Sequence, residues 1–375
     1  MRVILAFLVF FTSIGCSPPL ADTTTGSGIQ KILDSLVAEN GLPGLNLSII
    51  TSNSRQENYS SGYADMETRT ELNADHVLFS GSIGKTYAVA VLMQLVDEGK
   101  INLEDMFIDH FTDTLWLQYL PNINSISIKM LLQHTSGLPR YVMKPEIWTT
   151  INEDPDKVWT YKERMFYIFN DEPVHEAGKG WGYSDTGYIL LGMLIEKVTG
   201  KYYYDVVTER ILNRLSLIDT YPSVKREMYN LPQGYSSLPE SFKMPEKVVT
   251  DGKYCFNPQL EWTGGGFAST TPDLARWAEV YYKGTVFSDS LLKKIITPNE
   301  QGYLIQPGLS YGMGSFIFDT THRKAFAHSG FVPGFLSMFA YYPDLDISIA
   351  LQINCDYASE SLNLIDILNL VLNNK

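Results

Sequence analysis

With 375 residues, 45% of them hydrophobic, the chain can bury a large core, as one large domain or two smaller ones. Its formal net charge of −13 argues against a nucleic-acid partner, because no basic patch is evident to neutralise phosphates. The six histidines show neither His-Glu-x-x-His nor clustered spacing, so neither a metal nor another cofactor is expected.

The N-terminus reads as an export signal. Arg2 precedes the apolar run 3–11, small residues follow, and Cys16 closes the segment. The run is too short to span a bilayer, so residues 1–16 are expected to be a secretory signal peptide. Ser13-Ile14-Gly15-Cys16 resembles a bacterial lipoprotein processing site, with Cys16 as the lipidated residue and membrane anchor. The other outcome is secretion with cleavage nearer Ala21. Residues 17–27, rich in Ser, Pro, Thr and Gly, read as a tether. No other stretch is long and apolar enough for a transmembrane helix. Cys255 and Cys355 remain; they could pair in an exported protein, but two cysteines make no disulfide framework, and both read as structural.

Residues 29–39 form a short amphipathic helix, and 41–44 a turn. Strands follow at 45–51 and 57–63, joined by polar Ser52-Asn53-Ser54 as a hairpin. Next comes Phe79-Ser80-Gly81-Ser82-Ile83-Gly84-Lys85-Thr86, just ahead of the apolar run 87–96 and Gly99. That run is apolar on nearly every side, so it reads as a buried helix with Gly99 as its C-cap. The three-residue spacing puts Ser82 and Lys85 on one face of the first turn. A lysine in an apolar pocket loses its proton more easily, and such an amine could take the proton of Ser82. A helix cap beside a solvated lysine is the structural alternative. A phosphate loop is excluded, because it needs a glycine where Phe79 stands.

Residues 101–260 look mostly helical with long connections. The run 126–132 leads into Gln133-His134-Thr135-Ser136-Gly137-Leu138-Pro139, a polar turn in which His134 reads as a brace rather than a base. Gly182-Tyr183-Ser184-Asp185-Thr186-Gly187 opens a second apolar helix, 188–198, stopped by Gly200. Tyr183 could face a cleft, or Ser184 or Asp185 could simply cap the helix. Thr263-Gly264-Gly265-Gly266 is a flexible turn. Thr271 then caps a helix at 274–282, with Pro272 at its first position. Strands return at 315–319, 335–341 and 347–354, with Ala327-His328-Ser329-Gly330-Phe331 between the first two and a turn at 343–346. A helix at 362–372 ends the chain. Strands from both ends could share one antiparallel sheet beside the helical block.

Ser82-x-x-Lys85, Tyr183-x-Asp185 and His328-Ser329-Gly330, in that order, resemble the penicillin-recognising serine hydrolases. These include class C β-lactamases, D-alanyl-D-alanine carboxypeptidases and esterases. The phrases at 131–139, 183–192 and 264–270 extend the likeness to nearly the whole of 28–370. The resemblance implies an α+β fold over 28–375. An antiparallel sheet flanked by helices would sit beside a mostly helical lobe at about 101–260, with the active site between them. It implies Ser82 as nucleophile, with Lys85 and Tyr183 sharing the acid–base work. Asp185, His328, Ser329 and Gly330 would bind substrate, with His328 also polarising Tyr183. The backbone N–H groups of Ser82 and Phe331 would form the oxyanion hole. The expected protein is an exported, periplasmic or membrane-anchored hydrolase of a small-molecule or cell-wall peptide substrate. Carboxypeptidase-like or esterase-like activity stands ahead of class C β-lactamase, and a non-catalytic cell-wall-peptide binder is the remaining alternative. Two positions depart from the family. Asp185 stands where asparagine is common, and a carboxylate cannot donate to a substrate carbonyl. His328 stands where strong β-lactamases carry lysine.

Overall fold

The computed structural model describes residues 25–238, 242–319 and 323–375. The expected signal peptide and Cys16 lie outside these residues. The first helix, Thr25–Asn40, begins inside the stretch expected as a tether.

Among the described residues, fourteen strands follow one another. The first three are β1 (Gly44–Ile50), β2 (Gln56–Asp65) and β3 (Thr70–Glu71). Five short ones come next: β4 (Leu78–Phe79), β5 (Thr220–Pro222), β6 (Val249–Thr250), β7 (Lys253–Tyr254) and β8 (Phe267–Ser269). The last six are β9 (Leu304–Gln306), β10 (Leu309–Tyr311), β11 (Phe316–Asp319), β12 (Lys324–Val332), β13 (Phe335–Tyr342) and β14 (Ile347–Ile353). The main sheet has nine strands in the order β3-β2-β1-β14-β13-β12-β11-β10-β9. All its pairs are antiparallel, and the two ends of the chain meet where β1 pairs β14, with Leu47 opposite Leu351.

Every residue of β1 is buried, because the sheet is covered on both faces. Leu45, Leu47 and Ile49 pack with Ile32 and Leu33 of the first helix and Leu368 of the last helix, Leu364–Asn373. The opposite face meets the helix Thr271–Tyr282, where the Ser48 hydroxyl donates to that of Thr271 at 2.9 Å. Thr270, not Thr271, caps that helix: its side chain accepts from the Asp273 N–H, and Pro272 sits one position deeper than expected.

The other lobe is built around two buried helices, Lys85–Asp97 and Asp185–Thr199. Gly99 ends the first with φ +68°, and Gly200 caps the second with φ +66°. The remaining helices of the lobe are short. Strands enter it too: β4, β8 and β5 form a small sheet, and β6 pairs β7. Cys255 and Cys355 are unpaired, and burial pushes both thiols up to about 12. Among the described residues, no helix is long and apolar enough to cross a membrane.

Candidate active site

Ser82 lies in a single 3₁₀ turn, Gly81–Gly84, that runs directly into the helix starting at Lys85. In a 3₁₀ turn residues i and i+3 eclipse each other, so the spacing expected to share an α-helical face instead stacks Ser82 under Lys85. The Lys85 ammonium donates to Ser82 Oγ at 3.0 Å. Close backbone packing holds the turn. A Cβ on Gly84 would fall 1.5 Å from the carbonyl oxygen of Gly265, and one on Gly81 2.6 Å from the nitrogen of Phe331. These contacts clamp the serine turn between the glycine turn and β12.

Lys85 is fully buried and uses its three N–H groups on three acceptors. Besides Ser82 these are Asp185 Oδ1, at 2.7 Å, and the carbonyl of Gly264. Burial works against its charge, but Asp185 and Tyr183 outweigh burial and hold its pKa above the ordinary amine value. The amine expected to lose its proton in an apolar pocket is therefore an ammonium, because the pocket contains a carboxylate.

Asp185 opens its helix at the first position, where the dipole also favours a negative charge. Burial opposes ionisation, but Arg140 and Lys85 prevail and hold its carboxyl well below the usual range. Arg140 reaches Oδ2 through Nε at 2.9 Å and Nη2 at 2.8 Å. Sequence reasoning missed Arg140. The signal available was Asp185 itself, since a carboxylate in the place of a neutral amide calls for a second cation near Lys85.

Tyr183 is nearly buried, its ring between Lys85, 4.9 Å from the centroid, and Arg140, 5.2 Å away. Burial raises its pKa, with Lys85 acting in the opposite direction. His134, expected to brace its own turn, packs against this tyrosine: its ring centroid lies 4.2 Å from that of Tyr183, and its Nδ1 accepts from the Ser184 N–H at 3.2 Å. Burial and Lys85 keep the imidazole uncharged.

The second wall is β12. Its pairing with β11 stops at Ala327, opposite Phe316, so from His328 onward the strand has no β11 neighbour and approaches the Ser82 turn. Ser329, Gly330 and Phe331 line the cleft with Ser82, Tyr183 and Asp185. His328 does not. It is fully buried behind the wall, with Nδ1–H donating to the Ser329 carbonyl at 2.7 Å and Nε2 accepting from the Tyr311 hydroxyl at 3.0 Å. Burial and Lys85 push its pKa down to about 3. The expected substrate contact from His328 is thus corrected: a side chain with no exposed surface braces the strand instead. Of the aromatics between 141 and 179, Tyr141 and Trp148 line the cleft. Trp159 is core, and Phe166 points to solvent.

Glu261 also lines the cleft, and nothing in its local pattern marks it as doing so. Its turn is fixed by Arg164, a buried arginine that donates to the carbonyls of Trp159, Gln259 and Leu260 at 2.8, 2.6 and 2.8 Å. Burial raises the Glu261 carboxyl to about 7 against the pull of Lys85. Among the described residues no group of three or more His, Cys, Asp or Glu side chains is arranged to hold a metal.

A family model described as Beta-lactamase matches residues 29–372. Penicillin-binding protein 4* of Bacillus subtilis is 26% identical over 297 residues, which are 76% of this chain and 62% of that protein. The chain thus spans about three fifths of the length of the curated relatives it matches. Among solved structures, a D-stereospecific amidohydrolase from Streptomyces sp. superimposes with a TM-score of 0.79 at 26% identity, over 93% of this chain and 99% of that one. The D-amino acid amidase of Ochrobactrum anthropi SV3, complexed with L-phenylalanine amide, gives 0.78 at 25% identity, over 93% and 98%.

Proposed function

The chain belongs to the Beta-lactamase family of serine hydrolases, and we propose that it forms an acyl-enzyme on Ser82 and hydrolyses the amide, peptide or ester carbonyl of a small substrate. The observation that carries this reading is the Ser82 hydroxyl in an open cleft, 3.0 Å from the Lys85 ammonium, with Tyr183 lining the same cleft beside Lys85. The amide-hydrolysing proteins of similar fold favour an amide carbonyl, in keeping with a carboxypeptidase-like rather than a β-lactamase-like enzyme. The position of His328 supports the same order, because a buried neutral imidazole offers no cation to a β-lactam carboxylate.

The chemistry follows from the protonation states. Lys85 is already an ammonium, so it does not accept the Ser82 proton. Tyr183 accepts that proton as it passes its own to the leaving group, and Ser82 Oγ bonds to the carbonyl carbon. Lys85 stays charged and stabilises the negative charge that develops on the serine and phenol oxygens. The N–H groups of Ser82 and Phe331 take the carbonyl oxygen. Water then attacks the acyl-enzyme by the same relay, with Ser82 as leaving group. Steady-state hydrolysis of an acyl thioester tests this. Ser82→Ala and Tyr183→Phe should each lose at least about 10³-fold in kcat. Undiminished turnover in Ser82→Ala would leave a non-catalytic binder as the better reading. We also propose export, on the strength of residues 1–16; the mass of the mature N-terminus decides between Cys16 and cleavage nearer Ala21.

A further inference from the structure

Asp185 has no hydrogen to give a substrate, and both its oxygens are engaged: Oδ1 by Lys85, Oδ2 by Arg140. The donor at this wall is therefore the cation that Asp185 holds. A guanidinium carries five N–H groups in a rigid fork. Nε–H and one Nη2–H of Arg140 face Asp185, which leaves three, and among the described residues Asp185 is the one carboxylate it pairs with. Arg140 keeps 19% of its side-chain surface exposed and lines the same cleft as Ser82. Its orientation is fixed from two sides, by Asp185 and by the face of Tyr183 5.2 Å away. Ordering a guanidinium ordinarily costs side-chain entropy on binding; here the protein has already ordered it.

Resting on the Ser82 acyl-enzyme reading, we infer that Arg140 is a substrate-anchoring residue: its free N–H groups bind the oxygen of an amide carbonyl on the acyl side of the scissile bond. The cleft favours a neutral carbonyl over a carboxylate. Asp185 pairs with both Lys85 and Arg140, and the Glu261 carboxyl on the same lining, raised to about 7 by burial, would sit beside any second carboxylate brought there. Arg140 and Asp185 together then supply the donor that a lone carboxylate at 185 lacks. The enzyme is specific for acyl groups that carry an amide close to the reacting carbonyl.

Two thioesters with the same leaving group test this, N-benzoylglycyl and 3-phenylpropionyl, of which the first alone has the amide carbonyl. The expected result is a kcat/KM ratio favouring N-benzoylglycyl, which falls about 10- to 100-fold in Arg140→Ala. The double variant Arg140→Ala/Asp185→Asn, which restores a neutral amide donor at 185, should recover much of that ratio. Arg140→Lys keeps a cation for Asp185 and should show the same fall if Arg140→Ala does not fold. A ratio that stays constant while both rates drop overturns the inference, because Arg140 then only positions Asp185. A double variant no more selective than the single one overturns it as well. If the wild type hydrolyses neither thioester, the acyl-enzyme reading falls and this inference with it. If it hydrolyses both with a ratio indifferent to Arg140, only the inference falls.

Discussion

The two walls of the cleft solve the same problem in opposite ways. On the helical side, Lys85 and Asp185 are buried and Arg140 is half-buried, and the three charges hold one another in place. On the sheet side, β12 presents backbone and Ser329, and the imidazole behind it, His328, is buried and neutral. The first wall sets protonation states, and the second offers shape and hydrogen bonds. Burial alone decides neither outcome, since Lys85 and His328 are both fully buried. The difference lies in the neighbours: Lys85 meets a carboxylate, while His328 meets a tyrosine hydroxyl and a backbone carbonyl.

The charged wall should break most sharply when its one anion is removed. Asp185→Ala leaves the buried Lys85 and the half-buried Arg140 without their carboxylate and should cost about 3–5 kcal/mol of stability. Lys85→Met should cost less, because Asp185 keeps Arg140. Urea unfolding at pH 7 reads both, and equal losses would mean that the three charges do not act as one network.

The neutral wall should respond to acid instead. His328 is held near pKa 3 in the folded chain and returns to about 6.5 when unfolded. Its contribution to stability is therefore complete above pH 6.5 and is lost as pH falls toward 3, at about 1.4 kcal/mol per pH unit. His134, also held neutral by burial, acts in the same direction. Unfolding midpoints at pH 6.5 and 4.5 should show a smaller acid loss in His328→Gln than in the wild type. An unchanged loss would remove His328 from the account.

The contrast also shows what the chain reveals without its fold. Ser82, Lys85 and the two buried helices were legible, because a serine three residues before a lysine, followed by an unbroken apolar run, is a local pattern. So was the sheet made from both ends of the chain, as β1 and β14 are plainly strand-like. Arg140 was not, since it lies 45 residues from Asp185 and follows an ordinary Gly-Leu-Pro turn. Arg164 and Glu261 were hidden for the same reason: a buried arginine satisfied by carbonyls has no partner in sequence to betray it. The role of His328 was misjudged because its motif gives its position along β12 but not the face its ring takes. The lobe at 101–260 was read as more helical than it is, because β5, β6 and β7 have only two or three residues each.

The central claim is that Ser82 carries the acyl group. Rapid-quench intact-protein mass spectrometry with an N-acetyl-D-alanyl thioester, followed by peptide mapping, reads it directly. The account predicts one acyl mass on the peptide containing Ser82 and none in Ser82→Ala. An adduct on another residue, or turnover by the wild type that persists in Ser82→Ala, would contradict it.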